Sequence, residues 1–328
     1  MAMDFELVTQ AFAAAQQGLF EAVVQPAMMA LQMGNLLEDG FDATGWLLLG
    51  LLQIAVLVAV IGPLQRWRPV QAVTDRATIR TDILYTLIHR LGAFRVALFF
   101  MLEPLLDDLF GHLRVAGFGT FHLDAIWPGV TDLAVVSLLL YLVVFDFLDY
   151  WIHRAQHHFE WWWRLHSLHH AQRQMTMWSD NRNHLLDDLL RDVLVVVVAR
   201  LIGVAPGQFI AIVAFTQLSE SFQHANLKLW FGQIGERLWI SPRFHRVHHS
   251  IGIGHESHKR GRVVLGGHNF GILLPWWDML FGTANFELRF DPTGVRDQVE
   301  PGPSGLRDYG RGFWSQQWMG LKRLAGRA

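Results

Sequence analysis

The sequence predicts an all-α protein: an integral-membrane helical bundle of about four to five spans, capped on its cytoplasmic side by a histidine-rich segment. Three observations carry this expectation. The 328 residues are 52% hydrophobic and only 17% charged, where a soluble chain carries about 25% charged residues. Apolar runs near the roughly 20 residues that cross a bilayer as a helix recur as far as Phe222. Nine histidines fall in four short blocks between His153 and His249, mostly three or four apart, a spacing that stacks side chains on one helix face.

Residues 1–45 hold six acids and no Lys or Arg, with Asp4 and Glu6 where a secretory signal would be basic. Apolar residues such as Phe12, Leu19 and Val23 alternate with polar ones, which predicts an amphipathic helix lying on the membrane or packing on the bundle. Residues 46–139 hold the first spans. Trp46 to Leu64 contains no charge, and Ile83 to Leu106 is nearly as apolar but includes His89, Arg90 and Arg95. Thr131 to Tyr150 is uninterrupted until Asp146 and Asp149, and leads into a segment, residues 140–283, that contains every histidine block. Leu189 to Val204 and Pro206 to Phe222 read as two helices joined at Gly203 to Gly207. The tail, residues 284–328, is rich in Pro and Gly and predicts irregular chain followed by a short helix from Phe313.

Positive residues orient the bundle. Arg66, Arg68, Arg76 and Arg80 follow the first span, residues 107–129 contain one Arg, and Arg154, Arg164, Arg173 and Arg182 accompany the first histidines. Five spans with the N-terminus outside place all four blocks in the cytoplasm, in the inner (plasma) membrane if the source is bacterial. Trp161, Trp162 and Trp163 between the first two blocks predict a membrane–water interface, as do Trp276, Trp277, Trp314 and Trp318.

The blocks are His153-Arg154-Ala155-Gln156-His157, His166-Ser167-Leu168-His169-His170, Gln223-His224-Ala225-Asn226 and His245-Arg246-Val247-His248-His249. The chain has no cysteine. That excludes disulfides, thiolate-held iron–sulfur clusters, haem-thiolate chemistry and thiolate zinc sites, so any metal is held by nitrogen and oxygen. A net charge of −2 argues against nucleic acid as a partner. Neutral imidazole is the commonest transition-metal ligand, and nine are more than one ion needs. A lone histidine is more often structural, and His89, His112 and His122 are read that way. His158, His255 and His258 lie outside the repeated spacing and read as solvent-facing or supporting. For the set the weighing reverses, because 14 of 17 histidines lie within residues 153–268 and two triplets share one spacing.

Asp149 precedes His153 by four residues, Glu220 precedes His224 by four, and Asp188 follows His184 by four. A carboxylate one turn from a ligating ring can accept its second N–H; the bland alternative is a helix cap or an Arg partner. Zinc and iron both suit a nitrogen-rich site. Hydrolytic zinc typically uses fewer histidines with a carboxylate, and a b-type haem needs opposed histidines in mid-span, so the pattern favours redox iron. The competing class is a non-oxidative membrane metalloprotein, a zinc hydrolase or a metal transporter or sensor. A transporter needs a polar path through the spans, and the first span offers only Gln53.

Asp149-Tyr150-Trp151-Ile152-His153-Arg154, Leu165-His166-Ser167-Leu168-His169-His170, Phe222-Gln223-His224-Ala225-Asn226 and Phe244-His245-Arg246-Val247-His248-His249-Ser250 resemble the fatty acid hydroxylase / sterol desaturase superfamily. Asn269-Phe270-Gly271 and Trp277-Asp278-Met279-Leu280-Phe281-Gly282-Thr283 resemble its closing signature, and the likeness runs over about residues 140–283. The resemblance implies a membrane-embedded, oxygen-dependent oxidoreductase with two non-haem iron ions. It would hydroxylate or desaturate a lipid, fatty acyl or sterol-like substrate with O2 as co-substrate. Its electrons would come from a separate carrier and an NAD(P)H-dependent reductase.

By position the implied ligands are His153, His157, His166, His169, His170, His224, His245, His248 and His249, with no catalytic residue distinct from them. Zinc can replace iron on purification in such a site. His184, with Asp187 three residues on, resembles a family position that supports or joins the site. Asp149, Asp188, Glu220, Asn226, His268 and Asn269 are further candidates for supporting or additional roles. Some fatty-acid hydroxylases carry another histidine where this chain has Lys228, and His184 or His268 are the candidates to substitute for it. No fused haem-binding carrier domain is expected from these 328 residues, and His255 to Gly267 is longer and more basic than the family's usual link. Hydroxylase and desaturase share their ligands; the superfamily's balance favours hydroxylase.

Overall fold

The computed structural model describes residues 2–259, 262–302 and 305–327, and among them the chain is helical apart from one small hairpin. Helix α1 (Ala2–Leu19) runs through a π-helical turn, Phe20–Val24, into α2 (Gln25–Ala30). Phe20 meets Phe41 edge to face at 5.4 Å, which packs the N-terminal segment on α3 (Leu37–Val56). A second π turn, Leu57–Ile61, continues α3 into α4 (Gly62–Trp67). The whole stretch Gly34–Trp67 is one helical run long and apolar enough to cross a membrane.

Helix α5 (Arg76–Arg90) starts where Asp75 accepts a hydrogen bond from the Thr78 N–H, the ordinary side-chain cap. The expected span from Ile83 to Leu106 is not a single helix. The chain breaks at Leu91–Gly92, with Gly92 in the left-handed region at φ +85°, before α6 (Ala93–Val115). A left-handed glycine ends a helix at no steric cost, and an average of hydropathy does not register it. Helix α7 (Ala134–Gln156) is the second run long and apolar enough to cross, and α8 (Glu160–His170) follows it after a short turn. The helices α9 (Leu185–Ile202) and α10 (Pro206–Gln223) form the expected hairpin around Gly203. The Tyr141 hydroxyl donates to the carbonyls of Ile202 and Gly203, groups that the end of α9 leaves without helical partners. Two of the five expected spans therefore pass by length and apolarity among the described residues.

Short helices α11 (Gly232–Gly235) and α12 (Pro242–His248) come next, then the antiparallel strands β1 (Glu256–Lys259) and β2 (Arg262–Leu265). This hairpin is the long basic link noted in the sequence. Helix α13 (Trp276–Leu280) and α14 (Phe313–Leu324) complete the chain. The helix expected from Phe313 is present and docks on the site-bearing region: Arg323 donates to the Arg164 carbonyl, and Gln317 donates to the Tyr85 hydroxyl.

Large apolar side chains stand exposed on the outer faces of the long helices, including Leu51 and Leu52 on α3, Leu105 on α6, Val135 on α7, Leu201 on α9 and Phe215 on α10. A contiguous apolar exterior of this kind suits a lipid environment. The interior is held by packing, such as Tyr141, Phe145, Ala199 and Ile212 between α7, α9 and α10, and by one polar node. Arg90 is buried and donates to Gln217, Asp180, Ser221 and Gln53. Its backbone lies against α3, where a Cβ on Gly50 would stand 1.7 Å from the Arg90 carbonyl oxygen. Replacing Arg90 by Met leaves Asp180 buried without its cation. We expect this to cost about 3–5 kcal/mol, read as a lower thermal-unfolding midpoint in detergent, with part of the loss recovered in the Arg90→Met/Asp180→Asn double variant. An unchanged midpoint would show that the node is not structural.

Candidate metal centre

Four elements deliver the histidines. His153 sits in the last turn of α7 and His157 ends that helix. His166, His169 and His170 share one face of α8. His224 ends α10. His245 and His248 lie on α12, whose first turn is set by Pro242 and by Ser241 accepting from the Phe244 N–H, and His249 ends it. All nine rings are buried. Their nitrogens form two adjoining groups, each within 4.8 Å: His153, His157, His166 and His170, and His169, His224, His245 and His249. His248 joins His170 and His249 in a third set between them.

The outward nitrogens decide which way each ring presents its lone pair. His153 Nδ1 donates to the Phe270 carbonyl at 2.9 Å, His157 to Gly266 at 3.2 Å, His224 to Glu220 at 2.7 Å and His248 to His268 at 2.8 Å. A carbonyl can only accept, so in these rings Nδ1 carries the proton and Nε2 the lone pair. His166 Nδ1 donates to the Asp187 carboxylate at 2.8 Å. Burial, reinforced by the neighbouring imidazoles, holds His157, His169, His170, His245, His248 and His249 well below the ordinary histidine range, so these rings are neutral.

Inside the cluster, Nε2 atoms face one another at 3.0 Å (His157 and His170), 3.1 Å (His169 and His224), 3.0 Å (His224 and His245) and 3.1 Å (His245 and His249). His166 Nε2 and His248 Nε2 are buried with no partner at all. His157 and His224 bring Nε2 lone pairs to these contacts, while the Nδ1 atoms of His169, His170, His245 and His249 are buried with no hydrogen-bond partner among the described residues, so the cluster holds ring nitrogens that no protein group pairs, which is costly in a low dielectric. A cation between the facing nitrogens supplies such a partner. Two nitrogens each about 2.1 Å from one ion and about a right angle apart stand about 3 Å from each other. The donor set thus fits a pair of nitrogen-liganded metal ions.

The supporting residues are distributed differently from the sequence expectation. Asp187 fits it: one oxygen takes His166, and the other takes Gln156 and Trp162, both at 2.7 Å. Asp149 does not reach His153; it pairs with Arg191 at 3.0 Å. Asp188 pairs with His89 at 3.0 Å rather than with His184. Glu220 serves His224 through its backbone carbonyl, not its carboxylate. His184 has both nitrogens committed, accepting from the Leu186 N–H and donating to the Gln317 carbonyl, so it does not supply a further ligand. The His268 ring donates towards the Thr283 carbonyl, and only its own carbonyl touches the site. Lys228 is exposed, with its ammonium near the Phe290 ring.

Asn226 braces the chain at Val70 and Gln71. Asn269, at φ +63°, bonds Phe244 and Asn285, which holds the backbone that presents the His268 and Phe270 carbonyls.

Sequence reasoning missed how that backbone is fixed. Asp278 accepts from the N–H groups of Phe270 and Gly271, and Asp146 accepts from those of Leu273 and Leu274 and from Trp277. Of the histidines read as solvent-facing or supporting, His255 is buried and stacks on Trp163 at 5.3 Å, while His158 is exposed. The His258 side chain lies outside the described residues. The tryptophan run is not wholly interfacial. Trp161 is exposed, but Trp162 binds Asp187 and Trp163 packs against His157 and His170. Trp314 and Trp318 are exposed, as an interface position requires.

Residues 138–283 match the family model described as "Fatty acid hydroxylase". Over 259 residues the chain is 27% identical to an ornithine lipid hydroxylase, OlsE, of Rhizobium tropici, covering 75% of this chain and 70% of that protein. It is 24% identical to the fatty acid hydroxylase vlmA of a Lecanicillium species, over 49% of this chain and 45% of that protein. It is 26% identical to a very-long-chain aldehyde decarbonylase, GL1-4, of Oryza sativa subsp. indica, over 47% of this chain and 24% of that protein. No solved structure matches the chain. Residues 138–283, with the four histidine motifs in order inside them, form a fatty acid hydroxylase domain, and the hydroxylase relatives support the fatty acid hydroxylase / sterol desaturase superfamily.

Proposed function

We propose that the protein hydroxylates a membrane lipid at a centre of two iron ions held by its nine histidines. The observation that carries this reading is the convergence of nine buried imidazoles whose ring nitrogens form two adjoining groups, several of them with no hydrogen-bond partner among the described residues. His153, His157, His166 and His170 would hold one ion, His169, His224, His245 and His249 the other, with His248 beside both. A nitrogen-only set of this size differs from hydrolytic zinc, which keeps few histidines and a positioned general base. The pair, when bound, supplies the activation of dioxygen.

The reaction balances as R–H, O2, two electrons and two protons giving R–OH and water. Electrons come from a separate carrier and an NAD(P)H-dependent reductase. The desaturation alternative would withdraw a second hydrogen from the neighbouring carbon. The names of the hydroxylase relatives favour insertion. The chain's own residues orient the rings, exclude water around them and admit the lipid along a cavity between α6, α7, α9 and α10. Residues 140–283 act as the catalytic region, residues 46–139 as membrane helices before it, residues 1–45 and 284–328 as flanking segments. The centre faces the cytoplasm, on the side where arginines accumulate.

Protein purified from iron-replete cells should contain about two iron ions per chain by elemental analysis, as one ion cannot use nine imidazoles. It should take up oxygen when given a reductant. Zinc alone, with no oxygen uptake after iron loading, would falsify the proposal. Lipid extracts of cells with and without the gene should differ by species one oxygen atom heavier; a loss of two hydrogens instead would mark a desaturase.

His169→Ala and His248→Ala should abolish the activity while the protein still inserts, whereas His112→Ala, at an exposed position beside Asp108, should leave it near normal. Equal activity in all three would sink the ligand assignment. Asp187→Asn should weaken metal binding about 10–100-fold, measured as iron retained against a chelator; unaltered retention would remove Asp187 from the supporting shell.

A further inference from the structure

Between the fourth histidine block and Asn269 the chain folds out and back as the hairpin β1–β2, with Glu256 paired to Leu265 and Lys259 to Arg262. The base of this hairpin is tied together. Gly266 donates its N–H to the His255 carbonyl at 3.2 Å, and Gly267 donates to the Ser257 hydroxyl at 3.1 Å. Arg296, from the tail, clasps the Glu256 carboxylate with bonds of 2.6 and 2.8 Å. Both ends of the hairpin are therefore fixed where they meet the ligating rings.

One end serves such a ring through its backbone: the Gly266 carbonyl accepts from His157 Nδ1. The other end carries His255, which is only 2% exposed and has neither ring nitrogen hydrogen-bonded among the described residues. Burying an imidazole with both polar atoms idle is costly, and a phenyl ring would stack on Trp163 without that cost. Packing alone therefore does not account for a histidine here. The His255 ring lies on Trp163 with centres 5.3 Å apart, and its centre is 5.7 Å from that of His170. His170 is one of the four cluster rings whose Nδ1 is buried without a partner among the described residues. Its Nε2 faces His157 Nε2 at 3.0 Å, so it neighbours the ring that Gly266 already holds. Two idle imidazoles thus stand side by side at the base of one hairpin.

Their chemistry is complementary. His170 Nδ1 can only accept while Nε2 carries the proton, and must donate once Nε2 gives its lone pair to a cation. A carbonyl serves the second state alone, whereas a neutral imidazole has one N–H and one lone pair and serves both. We propose that His255 is a positioning residue, the outer hydrogen-bond partner of His170 Nδ1 directly or through one water, so that the hairpin holds the adjoining ligands His157 and His170 from its two ends. This rests on the metal-centre reading above.

Full-length protein in detergent would be loaded with cobalt(II) and challenged with a chelator, and the cobalt retained and its visible ligand-field absorption recorded. His255→Phe keeps the stack on Trp163 and should hold the metal about tenfold more weakly. His255→Gln keeps a donor and an acceptor and should recover most of that loss, with the absorption of the parent. Circular dichroism should show both variants folded; His255→Leu carries the same expectation should His255→Phe not fold. Parent-like retention in the apolar variant overturns the positioning role. So does an equal loss in the apolar and Gln variants, which with an altered absorption would make His255 a ligand itself. A parent chain that binds neither cobalt nor iron overturns the metal-centre reading and this one with it. A parent that binds metal beside an unaffected His255→Phe overturns the role of His255 alone.

Discussion

Much of the architecture answers to one electrostatic constraint: nine imidazoles are gathered in a dry interior where several ring nitrogens have no hydrogen-bond partner among the described residues. In low dielectric a ring is oriented by the partner of its outer nitrogen, which His153, His157, His166, His224 and His248 have and His169, His170, His245 and His249 lack among the described residues. The committed partners are mainly backbone carbonyls, at Gly266, His268 and Phe270, all in one irregular segment. An irregular segment holds a carbonyl in position only if its own N–H groups are occupied. Asp146 from α7 and Asp278 from α13 do this, each accepting from consecutive N–H groups. Burial pushes the Asp278 carboxyl up to about 6, a cost offset in the structure by those donors and by the Thr283 hydroxyl. Gly267 completes the segment at φ +115°, where a Cβ would stand 2.0 Å from the Gly254 carbonyl oxygen; only glycine lets the strand pair close over the rings.

The histidines themselves were legible in the sequence because their chemistry and their helical spacing coincide. The acids were not, for a physical reason. Spacing of four places two side chains on the same face of one helix, but says nothing of what a neighbouring helix offers. Asp149 found Arg191 and Asp188 found His89, both on other helices; for Asp149 the partner is a full charge, which competes for a carboxylate better than a neutral ring does. Backbone carbonyls leave no trace in a sequence, since every residue has one. The tryptophan run was misread through periodicity that was available. Consecutive helical residues point about 100° apart, so three adjacent indoles cannot share one interface, and two of them turn inward to Asp187 and to the cluster.

The membrane helices were legible in outline and misjudged where polar groups enter them. A hydropathy average treats Arg90 as a penalty within an apolar run, whereas in the fold the residue is the reason for the run's geometry. Its guanidinium reaches acceptors on α3, on α10 and in the segment before α9, and the helix ends at that point so that α6 can leave in another direction. The same logic explains α9. Its first two turns carry Asp187, Asp188, Arg191 and Asp192, which exclude it as an ordinary span yet line the cavity beside the cluster.

The family region does not stand alone in this chain. The inner face of α12 carries its histidines, while its other faces are tied to the tail, Arg243 to the carbonyls of Asn285 and Glu287 and Arg246 to that of Asp291. Arg246 and Asn226 also hold Gln71, far upstream. Gln172, just past α8, donates to the buried Asp82 of α5, and α14 meets His184 at the start of α9 through the Gln317 carbonyl. Each contact fixes a helix that carries or adjoins ligating rings from the side away from the rings. A seven-residue helix such as α12 is too short to be stable by itself, so its orientation is borrowed from these neighbours. The segments before and after residues 138–283 are therefore part of the apparatus that keeps nine buried imidazoles aimed at a common interior.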